Sequence, residues 1–305
     1  MARWLGKVAL QKGMSALPKA ESVNYLFQRH VSRSLPASDA GFRRKFGRAV
    51  SHLGAYDEHG PARGRGDAVF YEFGAGWDLT VPLAYWALGV DRQILVDIHS
   101  NLRFELVNRT IERLERLGDE LGDEAARTLR RPGAPDVGSA AELEERFGIA
   151  YVAPRDARAT GFETVSVDFV SSTNTLEHIP AKDIGPILAE CRRLLRPDGI
   201  MSSRIDLRDH YSYFDGGLSP YNFLRYSDRA WRVFNSRLLY QNRLRRPDYL
   251  RAFAEAGLEL VEEAPSSGDE PALASLRELE LAPRFRGYAP EELAVQALVV
   301  VARPS

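Results

Sequence analysis

The chain has 305 residues, of which 44% are hydrophobic, and its formal net charge at neutral pH is −1. This length can bury a full core, so we expect one α/β domain with additions. Cys191 is the one cysteine, which excludes disulfides within the chain, and the six histidines are scattered. There is no run of eighteen apolar residues and no apolar leader segment, so the sequence predicts a cytoplasmic protein rather than a membrane-spanning or secreted one.

Positive charge is concentrated at the N-terminal end. Residues 1–50 contain ten Lys and Arg against two acidic residues. The first helix candidate, Trp4 to Leu17, mixes apolar and basic side chains, so it could contact an anionic membrane surface or pack on the rest of the protein. We favour packing, and we interpret residues 1–66 as a basic helical extension or lid. No nucleic-acid recognition motif accompanies the charge, so we expect no nucleic-acid partner.

The first predicted strand of the sheet is the apolar run Val69–Phe73. It leads into Gly74 and Gly76, and an amphipathic stretch from Leu79 to Ala87 follows. Glycine allows backbone conformations that other residues resist and lets a ligand approach the main chain closely. A strand, a glycine turn and a helix N-terminus form a nucleotide cradle, although the turn alone also fits a tight strand-to-helix connection.

Four more strand candidates follow, separated by helical patterns. They are Gln93–Asp97, Ile149–Val152, Val167–Ser172 and Ile200–Ile205, the last after a helix that ends at residues 196–199. Strands that alternate with helices predict a mostly parallel sheet with helices on both faces. Asp97 ends the second strand, where a carboxylate can accept hydrogen bonds from both hydroxyls of a ribose.

The motifs at the strand ends, taken together, resemble those of class I S-adenosylmethionine-dependent methyltransferases. They are Glu72-Phe-Gly-Ala-Gly76, Asp97, Asp156-Ala157, Asn174-Thr-Leu-Glu-His-Ile-Pro180 and Leu194-Leu-Arg-Pro-Asp-Gly199. The resemblance covers roughly residues 67–205 and resumes near the C-terminus. It implies a Rossmann-like, seven-stranded, mostly parallel sheet in a domain at 67–305. It also implies S-adenosylmethionine as the methyl donor.

Residue roles follow from the resemblance by position. Glu72, Gly74 and Gly76 would hold the methionine end of the cofactor, and Asp97 would hold the ribose. Asp156 and Ala157 would contact the adenine, whereas Ser172, Thr173 and Asn174 would lie beneath the transferable methyl group.

Two insertions extend this minimal fold, at residues 118–148 and 206–248. The second leaves the end of strand five, where ligands bind in open α/β sheets, so it would cap the site. It is rich in Tyr, Phe, Trp, Asn, Asp and Arg. This composition suits a sugar-like or otherwise polyhydroxylated acceptor, although tight helical packing would produce it equally well.

A hydroxyl acceptor must lose its proton, and histidine is the usual proton acceptor near neutral pH. His210 follows strand five beside Asp209, so we expect His210 to act as the base and Asp209 to orient it. His178, after strand four, is the next candidate. Asp206 and Asp209 do not form an obvious octahedral oxygen set, so we expect no metal.

Other functions are weaker alternatives. A nicotinamide oxidoreductase shares the glycine turn, but Leu79 stands where the dinucleotide fingerprint has its third glycine. A non-catalytic relative that only binds the cofactor is possible in principle. The acceptor is open: we favour O-methylation of a sugar, glycan or related metabolite, and lipid-linked, quinone or phenolic acceptors and N-methylation are alternatives. The sequence sets no oligomeric state.

Overall fold

The structure is a computed structural model that describes residues 3–15, 25, 29, 35–120, 129–130 and 137–305, with residues 118–120 as backbone alone. Several expectations from the sequence lie outside these residues. They are the end of the first helix candidate at Leu17, one of the six histidines (His30), and residues 121–128 and 131–136 of the first insertion.

Seven strands form one sheet in the order β3-β2-β1-β4-β5-β7-β6. They are β1 (Val69–Phe73), β2 (Arg92–Val96), β3 (Ile149–Val152), β4 (Val167–Thr173), β5 (Leu195–Asp206), β6 (Leu258–Ser267) and β7 (Val295–Pro304). The first five strands are parallel, and β7 runs antiparallel to both β5 and β6. The predicted Rossmann-like, mostly parallel sheet is confirmed.

Ten α-helices are described. They are α1 (Arg3–Ser15), α2 (Asp39–His59), α3 (Thr80–Ala87), α4 (Phe104–Glu120), α5 (Ala140–Phe147), α6 (Ala181–Leu194), α7 (Asp228–Phe234), α8 (Arg246–Glu255), α9 (Glu270–Arg277) and α10 (Pro290–Ala294). None of these helices has the length and apolar character needed to cross a membrane.

Helices cover both faces of the sheet, because successive side chains of a strand point to opposite sides. Tyr71 of β1 belongs to a cluster with residues of α6 and α8, whereas its neighbour Phe70 packs with Leu53 of α2 and Tyr85 of α3. The strands therefore contribute apolar side chains to two cores, and the carboxyl ends of the parallel strands β1–β5 lie at the same end of the sheet.

Helix α2 differs from the expected lid. Ser38 caps its N-terminus by accepting a hydrogen bond from the amide of Gly41. Ala49 and Leu53 are fully buried against the sheet, in the cluster that contains Phe70. This helix is part of the core of the fold, so residues 1–66 do not act only as a cover over the cofactor mouth.

Helix α1 packs on the insertion that follows β5. Trp4 is 6% exposed, and its ring lies 5.8 Å from that of Tyr211 and 5.2 Å from that of Phe234. Lys12 Nζ donates to the carbonyl of Arg232 at 2.9 Å. The described part of the basic N-terminus thus packs on the protein through Trp4, Val8 and Met14, whereas Leu5 and Leu10 stay exposed.

The insertion at 206–248 has its own small core. Tyr211, Tyr221, Phe223 and Trp231 are all at most 3% exposed and pack together with Trp4. Most of the aromatic residues that suggested a sugar-binding surface therefore stabilise the cap instead. The sequence composition could not separate these two roles, since both require aromatic faces beside polar groups.

The fifth strand begins earlier than predicted. Leu195 pairs with Val167 of β4, so β5 includes residues 196–199, which we expected to form a turn before the strand. A register shift between Val167 and Phe169 accommodates this early start. Helix α6 thus ends at Leu194, and Pro197 and Gly199 lie within the strand that follows it.

Candidate active site

The glycine loop after β1 has the backbone that the sequence predicted. Gly74 and Gly76 have φ angles of 76° and 78°, a left-handed region that favours glycine. A Cβ atom on Gly74 would lie 2.4 Å from Cγ2 of Thr175. The loop can therefore approach the end of β4 closely only because residue 74 has no side chain.

A cavity of about 360 Å³ lies at the carboxyl ends of β1, β2 and β4. Its volume is within the range of small-molecule and cofactor sites. The walls come from Phe73, Gly74, Val96, Asp97, Ile98, Arg155, Asp156, Ala157, Arg158, Thr175, His178, Ile179, Pro180, Asp183 and Ile187. Four of the predicted cofactor residues are in this set, namely Gly74, Asp97, Asp156 and Ala157.

Two buried carboxyl groups lie at this edge of the sheet. Asp97 is 8% exposed, and burial raises its pKa. Hydrogen bonds from backbone N–H groups of the neighbouring loops stabilise the carboxylate and offset part of this increase. Glu72 is 3% exposed, and burial raises its pKa to about 8. One Glu72 oxygen, Oε2, has no hydrogen-bond partner within the described part of the chain. A ligand with a cationic or donor group would satisfy such carboxyl groups, which fits the hydroxyls and ammonium of S-adenosylmethionine.

Asp156 already has a partner in the cofactor cavity. Arg158 donates to both of its carboxylate oxygens and reaches Asp183 with Nη1 at 2.7 Å. The hydrogen bonds from Arg158 lower the pKa of Asp156. Arg158 and Asp183, which the sequence analysis did not select, therefore form the polar wall at the proposed adenine end.

The residues at the end of β4 are placed differently from the expectation. Ser172 is fully buried, Thr173 Oγ1 contacts His52 Nε2 at 3.1 Å, and Asn174 has a left-handed φ of 52°. The cavity wall is formed by the next residues, Thr175 and His178. The side chains of residues 172–174 do not line this cavity, and their position beneath the methyl group stays a prediction.

His178 lies at the cavity wall, and a hydrogen bond to a residue of the cap fixes the orientation of its ring. Its Nδ1 contacts the carbonyl oxygen of Tyr240 at 2.6 Å, so this nitrogen carries the proton and Nε2 keeps a free lone pair. Asn242 holds the same segment by donating to the carbonyls of Leu176 and Ile179. Burial lowers the pKa of His178.

His210 lies against His178, with their ring centroids 4.9 Å apart. It is 7% exposed, and burial together with the neighbouring His178 lowers its pKa to about 3. Its Nε2 lies 3.8 Å from Oδ2 of Asp206 and has no hydrogen-bond partner among the residues described. Both imidazoles are therefore neutral at physiological pH.

The contacts of Asp209 do not support its expected role of orienting the His210 ring. Its carboxylate accepts hydrogen bonds from the amide of Tyr211 and from Nδ2 of Asn222. It caps the short 3₁₀ helix His210–Tyr213. The acidic residue that faces His210 is Asp206, at the last position of β5.

Glu177 completes the group and was not selected from the sequence. It is 3% exposed, and neither carboxylate oxygen has a hydrogen-bond partner in the described ranges. Burial raises its pKa well above the usual value. Glu177, His178 and His210 each offer one atom that could bind a metal, and these three atoms lie within 4.8 Å of one another. The adjacency of β4 and β5 could have suggested this convergence, since Glu177 and His178 follow one strand and His210 the other.

A second, more open cavity of about 630 Å³ is lined by residues 208–220 of the cap, by residues 267–275 and by Gln296. Arg208 and Tyr213 line it, and both bind the Asp206 carboxylate, Arg208 with Nη2 at 3.1 Å. Ser212, Ser219 and Gln296 add polar groups to its wall. Asp206 therefore links this polar groove to the histidine pair, and His178 links that pair to the first cavity.

The other three described histidines lie outside this cluster. His52 is 2% exposed between Ser202 Oγ, at 2.7 Å, and Thr173, and burial lowers its pKa to about 3. His59 pairs with Glu262 at 3.2 Å. His99 is exposed beside the second strand. None of these three belongs to the cluster at the cavity wall.

Residues 136–203 match the family model described as a methyltransferase domain. No curated protein sequence matches the chain. The solved structures that resemble it include two methyltransferases. Geranyl diphosphate C-methyltransferase from Streptomyces coelicolor A3(2) has 14% identity and a TM-score of 0.49, with 87% of this chain and 81% of that chain covered. The 1,6-didemethyltoxoflavin-N1-methyltransferase from Burkholderia thailandensis has 16% identity and a TM-score of 0.46, with 93% and 86% covered.

The matched segment contains β3, β4, helix α6 and most of β5, and it includes the wall residues Asp156, Thr175 and His178. The glycine cradle and Asp97 complete the site on the preceding strands. The match over residues 136–203 and the seven-stranded sheet agree with the resemblance to class I S-adenosylmethionine-dependent methyltransferases found in the sequence.

Proposed function

We propose that the protein transfers the methyl group of S-adenosylmethionine to a hydroxyl group of a polyhydroxylated small molecule such as a sugar. The observation that supports this most is the pair His178 and His210 between the cofactor cavity and the polar groove. A neutral imidazole is what a hydroxyl acceptor requires, because its proton must pass to a ring nitrogen as its oxygen attacks the methyl carbon.

The cofactor would lie along the carboxyl edge of the sheet. Glu72 and the backbone at Gly74 would hold its methionine end, Asp97 its ribose, and the wall at Asp156 and Ala157 its adenine. When bound, it supplies a methyl group on a sulfonium, and the carbon–sulfur bond breaks as the carbon–oxygen bond forms. The protein mainly positions the acceptor for this in-line displacement, a contribution that can reach several kcal/mol.

The groove supports a polar acceptor rather than an apolar one. Serine hydroxyls, an amide and a guanidinium line it, and its aromatic member Tyr213 is 49% exposed. Such a surface offers donors and acceptors to neighbouring hydroxyls, and one open ring face for stacking. This groove replaces the buried aromatic residues of the cap as the basis for proposing a sugar-like substrate.

The experiment is a turnover screen that measures S-adenosylhomocysteine release with sugar, nucleotide-sugar, phenolic, amine and lipid-linked acceptors. With the active acceptor, His178→Gln and His210→Gln should lower the rate about 10²–10⁴-fold while cofactor affinity stays close to wild type. His59→Gln is the matched control, because this histidine lies outside the site, and it should keep full activity. Turnover with amines alone, or full activity in both cluster variants, would overturn the proposal.

A further inference from the structure

We propose that Glu177, His178 and His210 bind a divalent transition-metal ion at the acceptor side of the cofactor cavity. Two imidazoles and one carboxylate are a common protein set for catalytic Zn²⁺ and for Fe²⁺ or Mn²⁺. This inference goes beyond the methyltransferase assignment, since the sequence analysis expected no metal here.

The geometry brings three ligand atoms around one point. They come from two loops, after β4 and after β5, and lie within 4.8 Å of one another. Metal–ligand bonds to histidine and carboxylate measure ~2.0–2.2 Å. Small rotations of the side chains therefore suffice to place an ion between the three atoms.

Buried polar atoms without hydrogen-bond partners support the presence of a cation at this cluster. Both oxygens of Glu177 and Nε2 of His210 are buried without hydrogen-bond partners in the described part of the chain. Buried polar groups left unpaired cost folding free energy, and a buried carboxylate costs more. A divalent cation would satisfy all three atoms at once, which water or a single donor could not do.

The residues around the three ligands hold them through hydrogen bonds, as is usual around metal sites in proteins. A metal-binding histidine usually donates its other ring N–H to a carbonyl or carboxylate, which fixes the free nitrogen towards the ion. His178 does this with the Tyr240 carbonyl at 2.6 Å. Asp206 is held by Arg208 and Tyr213, so it stays beside the site as a second carboxylate instead of filling it.

Three protein ligands leave coordination positions open towards the cavity, which is typical of catalytic rather than structural sites. If the proposed function is correct, an acceptor hydroxyl would take one such position. The ion would then orient the hydroxyl and make it more acidic, and the imidazoles would serve as ligands. The hydroxyl proton would pass to the Asp206 carboxylate beside the site or to water. Only this role depends on the proposed function; metal binding itself does not.

Co²⁺ is the probe, because its visible absorption reports its ligands directly. The full-length protein is treated with EDTA, dialysed and titrated with Co²⁺. Wild type and the control His59→Gln should bind one equivalent and develop the absorption band. Glu177→Gln, His178→Gln and His210→Gln should each bind at least tenfold more weakly. Retained affinity for S-adenosylhomocysteine shows that each variant is folded.

Two outcomes would overturn the metal site. One is the lack of Co²⁺ binding by folded wild type, which would mean that a nearby cation such as Arg48 neutralises Glu177 instead. The other is equal Co²⁺ affinity in wild type and in the three ligand variants. Stoichiometric metal binding without turnover of any hydroxyl acceptor would count against the proposed function alone.

Discussion

The buried carboxyl group of Glu72 makes the stability of the ligand-free protein depend on pH. Burial raises its pKa from 4.5 to about 8, and the Ser171 hydroxyl and Lys45 lower it only in part. The folded state therefore keeps a proton that the unfolded chain loses above pH 4.5, so the free energy of unfolding falls as pH rises and levels off near pH 8. At about 1.4 kcal/mol per pKa unit, the loss is about 3–5 kcal/mol.

Glu72→Gln removes this titration while it preserves the shape of the side chain. We expect the wild type to match the variant at pH 5 and to be less stable by about 3–5 kcal/mol at pH 8, measured by urea unfolding without cofactor. Glu112→Gln, at an exposed position of α4, should follow the wild type at both pH values. A difference between wild type and Glu72→Gln that stays constant from pH 5 to pH 8 would refute the raised pKa.

Three further predictions concern the cofactor site and the cap. Asp97→Ala should weaken S-adenosylmethionine binding by about 1–3 kcal/mol in calorimetry, because the ribose hydroxyls lose their acceptor. Gly74→Ala should weaken it at least tenfold, since the new methyl group meets Thr175 at 2.4 Å, and Thr175→Ala in the same chain should restore part of the affinity. Arg245→Met should lower the free energy of unfolding by about 3–5 kcal/mol, because the guanidinium donates to three buried carbonyls, those of residues 207, 293 and 295.

Each of these has a matched control. For Asp97→Ala the control is Glu112→Ala, which should leave the affinity for S-adenosylmethionine unchanged. If Asp97→Ala binds the cofactor as tightly as wild type, Asp97 is not part of the site. If Thr175→Ala gives no recovery in the Gly74→Ala background, the close contact is not the cause of the loss. Arg116→Met, at an exposed position, should cost little stability, and an equally small cost for Arg245→Met would contradict the hydrogen-bond argument.

The sequence determined the fold class and the cofactor edge of the site. Strand and helix periodicities are local properties, and parallel strands separated by helices bring their carboxyl ends to one edge. Gly74 and Asp97 lie at the cavity as that rule predicts, and the family resemblance added Asp156 and Ala157, which also line it. The sequence also marked His178 and His210 as candidates, but as alternatives to each other.

Only the tertiary structure decided how the acceptor side is built. The direction of the loop after β5 depends on how the cap packs, and the cap packs through aromatic residues whose composition equally suited ligand binding. That packing turns Asp209 towards Asn222, brings His210 onto His178, and leaves Asp206 as the facing carboxylate. Burial and unpaired atoms, as at Glu177, are properties of the assembled interior, since they depend on contacts between segments distant in the chain.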